Sequence, residues 1–293
     1  YSMFGMQRVG DLAWAAADQR ARGFLLGATA GRTTLNGEGL QHEDGHSHII
    51  SSVIPNCVSY DPTYGYELAV IIQDGLRRMV AEQEDVYYYI TVMNENYEHP
   101  AMPEDPAVQA GILKGAYRLR ESKAKSKQRV QLMGSGTILR EVLAAADLLE
   151  QDWGVAADVW SATSFTELRR EGLACERWNL LHPEDAARVP YVTQCLEKTK
   201  GPVIAASDYM KTFAEQIRPF MPRGRDYRVL GTDGFGRSDT RAKLRYFFEV
   251  NRHFVVLAAL KSLADAGELK AKTVSEAIAK YGIDPAKPDP TTV

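Results

Sequence analysis

Residues 129–161 read RVQLMGSGTILREVLAAADLLEQDWGVAADVWS, and this stretch decides the fold. It begins and ends with short runs rich in apolar residues, which predict strands over Arg129–Met133 and Asp158–Ser161. Between these runs, apolar residues recur at the spacing of an amphipathic helix, which the pattern places over Arg140–Trp153. A strand, a helix and a second strand in this order favour a mostly parallel sheet covered by helices.

The same alternation of strands and helices runs along the rest of the chain. We therefore predict an α/β protein with two domains, each containing a mostly parallel sheet flanked by helices. The other predicted strands are 24–29, 86–92, 202–206 and 227–231, and the other predicted helices are 4–22, 64–80, 189–198, 209–220, 241–250, 253–266 and 274–281.

A proline-rich stretch divides the chain. Three prolines stand among Asn, Glu and Asp residues between positions 94 and 106, a composition that is typical of an interdomain linker. We place the first domain at residues 1–100, the linker at 101–110 and the second domain at 111–293. Because the chain starts without an initiator methionine and enters a helical pattern at once, we expect it to be a piece of a longer protein.

The composition excludes several classes of function. The 35 basic and 38 acidic side chains give a formal charge of −3, so the chain lacks the positive surface that nucleic acid or an anionic membrane would require. No apolar run approaches the ~18–20 residues that cross a bilayer, and no signal peptide is visible. Cys57, Cys175 and Cys195 lie far apart, a pattern typical of free thiols in a reducing compartment. We expect a cytoplasmic protein without nucleic-acid or membrane partners.

A long segment after the first predicted strand lacks any helical or strand period. Residues 31–56 contain His42, His46 and His48, which are three of the six histidines of the chain. Loops of this length are usually functional or disordered, and imidazoles titrate near neutral pH, so this loop is the leading candidate for proton chemistry. Its content of Gly, Thr, Asn and His predicts that residues 31–48 are ordered mainly by contacts outside the chain.

The residues alone leave two interpretations of these histidines open. The string HEDGH at residues 42–46 fits the H-E-x-x-H pattern, in which two imidazoles one helical turn apart bind zinc and the glutamate activates water. That geometry needs a helix, whereas glycines at positions 37, 39 and 45 and the Asp44-Gly45 turn dipeptide disfavour one. The other interpretation is a solvated loop with exposed imidazoles.

Two glycine-rich turns follow predicted strands of the second domain. Residues 134–136, Gly-Ser-Gly, lack the third glycine of a dinucleotide fingerprint, because position 139 is leucine. Residues 231–238 read GTDGFGRS and lack the Lys-Ser/Thr pair of a phosphate-binding P-loop. We therefore predict ordinary strand-to-helix turns, with Ser238 or Asp239 as the cap of the helix that follows the second turn.

The long loop also carries a more specific string, GRTTLNGEGLQHEDGHSH at residues 31–48. In this string the chain resembles the homodimeric bacterial pyruvate dehydrogenase E1 components. In the wider transketolase family the matching pattern is Glu-Asp-Gly-x-x-His, which stands here at Glu43–His48. The resemblance covers essentially the whole chain, since it continues through residues 85–103, 163–172, 175–183 and 231–239.

The resemblance implies an enzyme that depends on thiamine diphosphate and Mg²⁺. Members of this family form homodimers, decarboxylate pyruvate and transfer the acetyl group to the lipoyl group of a dihydrolipoyl acetyltransferase, on the way to acetyl-CoA in a multienzyme complex. In fold, the chain resembles the later part of their pyrimidine-binding domain and all of the transketolase-like C-terminal domain. Their chemistry needs proton donors near a carboxylate, an oxyanion and a thiolate, which histidine can supply.

The resemblance also implies a set of five catalytic and cofactor-binding residues. Tyr1 and Phe4 match an aromatic pair beside the aminopyrimidine of the cofactor, with Phe4 stacking on the ring and Tyr1 facing the reacting centre. Glu38 and His42 match a pair that lines the substrate end of the site. His48 matches an imidazole of the wider family that approaches the donor substrate.

Other parts of the family's site are not matched, and His46 has no counterpart. The family binds diphosphate and magnesium through Gly-Asp-Gly and a later Asn, whereas the Asp-Gly pairs at residues 44–45, 74–75 and 233–234 lack the first glycine. We therefore predict no metal ligands in this chain and an incomplete enzyme when it is alone. Ketol transfer as in transketolase is an alternative, although the loop lacks the Arg and Ser residues that bind sugar phosphates. A non-catalytic assembly domain is another alternative.

Overall fold

Two β-sheets form the centre of the computed structural model, which describes residues 1–293. The first sheet contains β1 (Phe24–Gly27), β2 (Cys57–Tyr60) and β3 (Tyr87–Thr91), all parallel in the order β1-β3-β2. The second contains β4 (Tyr117–Arg120), β5 (Arg129–Gly134), β6 (Ala156–Ser161), β7 (Val203–Ala206) and β8 (Tyr227–Leu230) in the order β4-β6-β5-β7-β8. Only β4 is antiparallel to its neighbour, so the predicted α/β class is confirmed.

Eleven α-helices pack around these sheets. None of the helices combines the length and the apolar composition that a membrane span needs. The helices are α1 (Ser2–Asp18), α2 (Ser47–Ser52), α3 (Gly65–Leu76), α4 (Pro106–Lys114), α5 (Ile138–Trp153), α6 (Phe165–Leu181), α7 (Tyr191–Glu197), α8 (Lys211–Glu215), α9 (Arg241–Phe247), α10 (Arg252–Asp265) and α11 (Ala271–Lys280).

The strand–helix–strand unit predicted from residues 129–161 is present. Strand β5 pairs in parallel with β6 along its whole length, from Arg129 opposite Ala156 to Gly134 opposite Ser161. Helix α5 connects the two strands and buries an apolar face in the largest hydrophobic core, where Val142 and Leu149 are fully inaccessible. The helix ends at Gly154, whose φ of +63° is a left-handed conformation that glycine adopts without strain.

Several elements lie where the sequence patterns predicted none. The segment 31–56, predicted as irregular, contains helix α2, and strand β2 follows it directly. Helix α6 was missed because its outer face is charged and only a few apolar residues on it are buried; Ser164 caps it by accepting a hydrogen bond from the Glu167 N–H (3.0 Å). Helix α4 begins inside the predicted linker 101–110, and its Val108 packs in the core of the first sheet.

The two sheets meet at Asp61, the residue after β2. Its carboxylate accepts hydrogen bonds from the hydroxyls of Thr91 (2.7 Å) and Ser135 (2.8 Å), and its carbonyl accepts one from the Gly136 N–H (3.2 Å). Gly136 has a φ of +50°, and a Cβ there would lie 2.7 Å from Asp61 Oδ2. The Gly-Ser-Gly turn is therefore a contact between the two sheets.

His48 lies in the same buried contact. Helix α2 directs its imidazole into the protein, where it is fully inaccessible and stacks on Phe213 with 4.7 Å between ring centroids. Its Nε2 lies 2.8 Å from Thr91 Oγ1 and 4.0 Å from Asp61 Oδ1, and its Nδ1 has no hydrogen-bond partner. Because the Thr91 hydroxyl donates to Asp61, the Nε2–H of a neutral His48 donates to Thr91.

The first residues of the long loop are fixed by the second half of the chain. The buried carboxylate of Asp208, just after β7, accepts hydrogen bonds from the backbone N–H and the hydroxyl of both Thr33 and Thr34 (2.6–3.0 Å). Arg241 Nε donates to the Thr34 carbonyl (2.7 Å). Residues 31–35 and 43–45 are buried, whereas most of residues 36–42 are exposed. The prediction that residues 31–48 are ordered mainly from outside the chain is therefore wrong for both ends of the loop, because buried polar groups of the chain itself hold them.

The buried pair of Asp61 and His48 links folding to pH in two opposite ways. Burial raises the pKa of Asp61 to about 7 and lowers the pKa of His48 to about 4. In the unfolded chain these pKa values lie near 4 and 6.5. Folding thus favours the protonated Asp61, whose contribution to stability falls as the pH rises from about 4 to about 7. Folding also favours the neutral His48, whose contribution rises between about pH 4 and 6.5.

We predict that Asp61→Asn changes the pH dependence of stability. This substitution removes the contribution of Asp61 to stability, which falls as the pH rises. The free energy of unfolding should therefore rise more steeply with pH than in the wild type between about pH 4 and 6.5. Each pH unit between the folded and unfolded pKa values corresponds to about 1.4 kcal/mol. Urea denaturation across this range measures the slope. His48→Gln is the matched control and should change the slope in the opposite direction; equal slopes in all three proteins would contradict the assignment.

Candidate active site

Three aromatic rings meet at the N-terminal end of helix α1. Tyr1 stacks on the imidazole of His42, with 4.6 Å between centroids and 22° between planes. Phe4 meets the same imidazole edge to face at 4.8 Å, and it lies 5.8 Å from Tyr1. Residues three apart on a helix lie on neighbouring positions of one face, which is how α1 presents both aromatic rings to the loop. The structure thus brings three of the five predicted site residues together.

Glu38 is the fourth member of this group. Its Oε2 lies 3.6 Å from Nδ1 of His42, which is buried and has no hydrogen-bond partner. A single 3₁₀ turn over Leu40–His42, in which the His42 N–H donates to the Gly39 carbonyl (2.9 Å), places the two side chains on the same side of the loop. A small rotation of the Glu38 carboxylate would complete a hydrogen bond with the imidazole and fix its tautomer.

Tyr1, Phe4 and His42 are called the ring cluster below. A cavity of about 490 Å³ adjoins this cluster at Phe4. It lies between helix α1, the long loop and the turn after β8, and Phe4, Leu40 and the exposed Phe235 supply apolar walls. Arg32 and Glu43 also line it, and the Arg32 Nε and the Glu43 Oε1 are buried without hydrogen-bond partners. Burial raises the pKa of Glu43 to about 8, although a backbone hydrogen bond and the charge of Arg32 act in the opposite direction.

The other two histidines of the loop lie elsewhere. His46 is the residue before helix α2 and lines the cavity, and its backbone N–H donates to Asp44 Oδ1 (3.0 Å). His48, the fifth predicted site residue, is enclosed by Tyr89, Tyr209 and Phe213 and does not contact the ring cluster. Its approach to a donor substrate stays a prediction.

The zinc interpretation requires a helix that the structure does not contain. Only Leu40–His42 form a 3₁₀ turn; Glu43 has extended backbone angles (φ −77°, ψ 104°), and helix α2 begins at Ser47. The imidazoles of His42 and His46 are therefore not separated by one helical turn. No group of three or more His, Cys, Asp or Glu side chains is arranged to hold a metal ion.

The aspartates of the three Asp-Gly pairs already have partners within the protein. Asp44 accepts hydrogen bonds from the backbone N–H groups of His46 and Ser47 at the start of helix α2. Asp74 accepts from Arg77 and from the Tyr88 hydroxyl (3.1 Å), and Asp233 accepts from the Lys211 N–H (3.2 Å). These contacts give each aspartate a structural role in the chain.

Sequence reasoning missed the groups that hold the loop. Arg32, Glu43 and Asp208 are buried polar residues that contact the loop or the turn after β8. One signal could have identified Asp208: it follows a predicted parallel strand, and the carboxyl ends of such strands are where functional groups collect. Arg32 and Glu43 lie inside the 31–48 string, where nothing in the sequence distinguishes a buried side chain from an exposed one.

Two family models match the chain and together cover most of it. Residues 1–100 match the pyruvate dehydrogenase E1 component middle domain. Residues 115–251 match the transketolase-like TK C-terminal domain. Among solved structures, the transketolase from Campylobacter jejuni matches 89% of this chain with a TM-score of 0.64 and 20% sequence identity, while the chain covers 34% of that protein. This likeness shows that the fold is transketolase-like.

Curated relatives identify the family more closely. The chain is 66% identical to the pyruvate dehydrogenase E1 component of Cupriavidus necator over 294 aligned residues, which is 100% of this chain and 32% of the relative. It is also 66% identical to the pyruvate dehydrogenase E1 component of Pseudomonas aeruginosa over 99% of the chain and 32% of the relative. Over essentially its whole length the chain is thus similar to pyruvate dehydrogenase E1 components, and it spans about a third of the length of these relatives.

Proposed function

We propose that this chain supplies part of the active site of a thiamine diphosphate-dependent pyruvate dehydrogenase. The complete enzyme would decarboxylate pyruvate and transfer the acetyl group to the lipoyl group of a dihydrolipoyl acetyltransferase. The observation that carries this proposal is the group of Tyr1, Phe4, His42 and Glu38, which puts an aromatic platform beside a polar pair. The names of relatives at 66% identity support the same activity.

The residues of the ring cluster fit one part of the cofactor. The aromatic ring of Phe4 could hold a planar aminopyrimidine by stacking, and Tyr1, which is half exposed, would face the reacting centre beside it. Nothing comparable fits a diphosphate with Mg²⁺, because Asp44, Asp74 and Asp233 are engaged in the contacts described above. We propose that these ligands come from other parts of the enzyme, including a second E1 subunit in a cytoplasmic homodimer.

His42 is the residue that we propose for proton transfer. Thiamine diphosphate, when bound, supplies the electron sink for loss of CO₂ from a 2-oxo acid. In its protonated form, with Nδ1–H directed to Glu38, His42 can donate a hydrogen bond or a proton from Nε2 to an oxyanion or a thiolate of the reacting groups. Stacking on Tyr1 and the edge contact with Phe4 hold the imidazole in one orientation. The direct contact of His48 with substrate remains part of this proposal as a prediction.

We predict that His42→Ala in the full-length enzyme lowers kcat of the overall acetyl-transfer reaction by about 100-fold, with a smaller change in pyruvate binding. A proton donor acts mainly in the transition states, and such groups contribute about 10²–10⁴-fold. Steady-state kinetics measure kcat, and quenching of protein fluorescence by pyruvate measures binding.

The matched control for this prediction is His46→Ala. His46 lies in the same loop, but we assign it no catalytic role, so kcat should stay within about twofold of the wild type. If His42→Ala reduces kcat by less than about threefold, which corresponds to about 0.6 kcal/mol, the proton-transfer role assigned to His42 is wrong.

A second prediction concerns the chain on its own. Because the aspartates of its three Asp-Gly pairs bind other groups of the chain and no cluster of side chains is arranged to hold a metal ion, we expect that residues 1–293 do not bind thiamine diphosphate with Mg²⁺ in the micromolar range. Isothermal titration calorimetry measures this directly, and the full-length enzyme under the same conditions is the positive control. A micromolar Kd for the chain alone would show that one of the glycine-rich turns, at 134–136 or 231–238, binds phosphate after all.

A further inference from the structure

The loop segment that carries Glu38 and His42 has little structure of its own. Its only repeating element is the 3₁₀ turn over Leu40–His42, and residues 39–41 are exposed. No side chain caps this turn. A short, solvated turn of this kind samples many conformations unless neighbouring groups restrict it. The placement of His42 against Tyr1 and Phe4 must therefore depend on contacts at the two ends of the segment.

Both ends of the segment contact the turn after β8, residues 231–239. At one end, the Gly37 N–H donates to the Asp239 carbonyl (3.3 Å). At the other end, the Arg237 N–H donates to Oε2 of Glu43, the residue directly after His42 (2.6 Å). Between them, Gly236 lies so close to the Leu40 carbonyl that an added Cβ would overlap its oxygen. This turn is the GTDGFGRS stretch that the sequence analysis left without a function.

The carboxyl group of Glu43 is the side chain that makes this connection. It is fully inaccessible to solvent, and its Oε2 accepts the Arg237 hydrogen bond while its Oε1 has no partner. The Arg32 side chain, also buried, donates to the carbonyls of Thr232 (2.7 Å) and Gly234 and holds the same turn from the other side. The carboxyl group of Glu43 makes no hydrogen bond to Tyr1, Phe4 or His42, and the guanidinium of Arg32 makes none to them either. Glu43 directly follows His42 in the chain, so the hydrogen bond of its carboxyl group with the Arg237 N–H bears on the position of that neighbour.

We propose that Glu43 is a positioning residue, which binds the turn at residues 231–239 and thereby holds His42 in its orientation against Tyr1 and Phe4. This inference rests on the proposed function, because it assigns to the second half of the chain the task of placing the proton-transfer group. The turn after β8 is then a part of the active-site architecture, which holds the loop and, through Phe235, also forms a wall of the adjoining cavity.

The first test compares two substitutions of Glu43 in the full-length enzyme. Glu43→Ala removes the acceptor of the Arg237 N–H, and we expect kcat of acetyl transfer to fall about tenfold while KM for pyruvate changes less than about twofold. Glu43→Gln keeps an amide oxygen that can accept the same hydrogen bond, so kcat should return to within about threefold of the wild type. A Gln variant as impaired as the Ala variant would overturn the proposal.

The decisive test is a double-mutant cycle with His42→Ala. If Glu43 acts through His42, the double variant should have the same kcat as His42→Ala alone, because no positioned imidazole is left to lose. A further tenfold loss in the double variant would mean that Glu43 acts independently and would overturn the proposal. A failure of the proposed function has a different signature, since His42→Ala alone would then retain wild-type activity.

Two further variants keep the test valid if Glu43→Ala does not fold. Gly236→Ala adds a methyl group against the Leu40 carbonyl from the opposite side of the contact, and it should reproduce the loss of kcat and its dependence on His42. Asp233→Ala is the matched control, because Asp233 lies in the same turn, accepts from the Lys211 N–H and makes no hydrogen bond to residues 37–43. It should keep kcat within about twofold of the wild type. An equal loss in the Asp233 variant would show a general disturbance of the turn and contradict the role of Glu43.

Discussion

The carboxylate of Asp208 accepts hydrogen bonds from both the backbone N–H and the hydroxyl of Thr33 and Thr34, and the candidate site depends on this contact. An irregular loop has backbone donors without partners in a helix or sheet, and leaving them buried and unpaired is costly. Asp208 satisfies them from the end of a rigid strand, and Gly31 is close enough that any Cβ would overlap the carboxylate. The exposed part of the loop therefore starts from a fixed point.

The sequence predicted the regular parts of this fold better than its irregular parts. Strand–helix alternation over residues 129–161 predicted β5, α5 and β6, because a buried parallel sheet and its covering helix leave strong apolar patterns. Helix α2 has no such pattern: it is six residues long, Asp44 accepts a hydrogen bond from the backbone N–H of its first residue, and His48 and Ser51 are buried. Short helices of this kind depend on tertiary contacts, which a local pattern does not contain.

The candidate site shows the same difference between residues that the sequence predicted and residues that it did not. Tyr1, Phe4, Glu38 and His42 were found through a long string that resembles a known family, and the structure brings them together. The groups that hold them were not found, since Asp208 lies more than 150 residues away from the loop in sequence, and only folding brings it there. His48 shows the limit of the resemblance: the matched residue can be identified from the sequence, but the burial that lowers the pKa of its imidazole cannot.

Exposure separates two kinds of polar residue in this protein. Glu38 and His42 keep 42% and 21% of their side chains accessible. Glu43 and Asp208 are fully inaccessible, and each accepts hydrogen bonds from backbone N–H groups of another segment. A buried carboxyl group is costly unless its hydrogen bonds are made, so each fixes the geometry of the segment that it binds. The first half of the chain thus carries the reactive groups, and much of their placement comes from the second half.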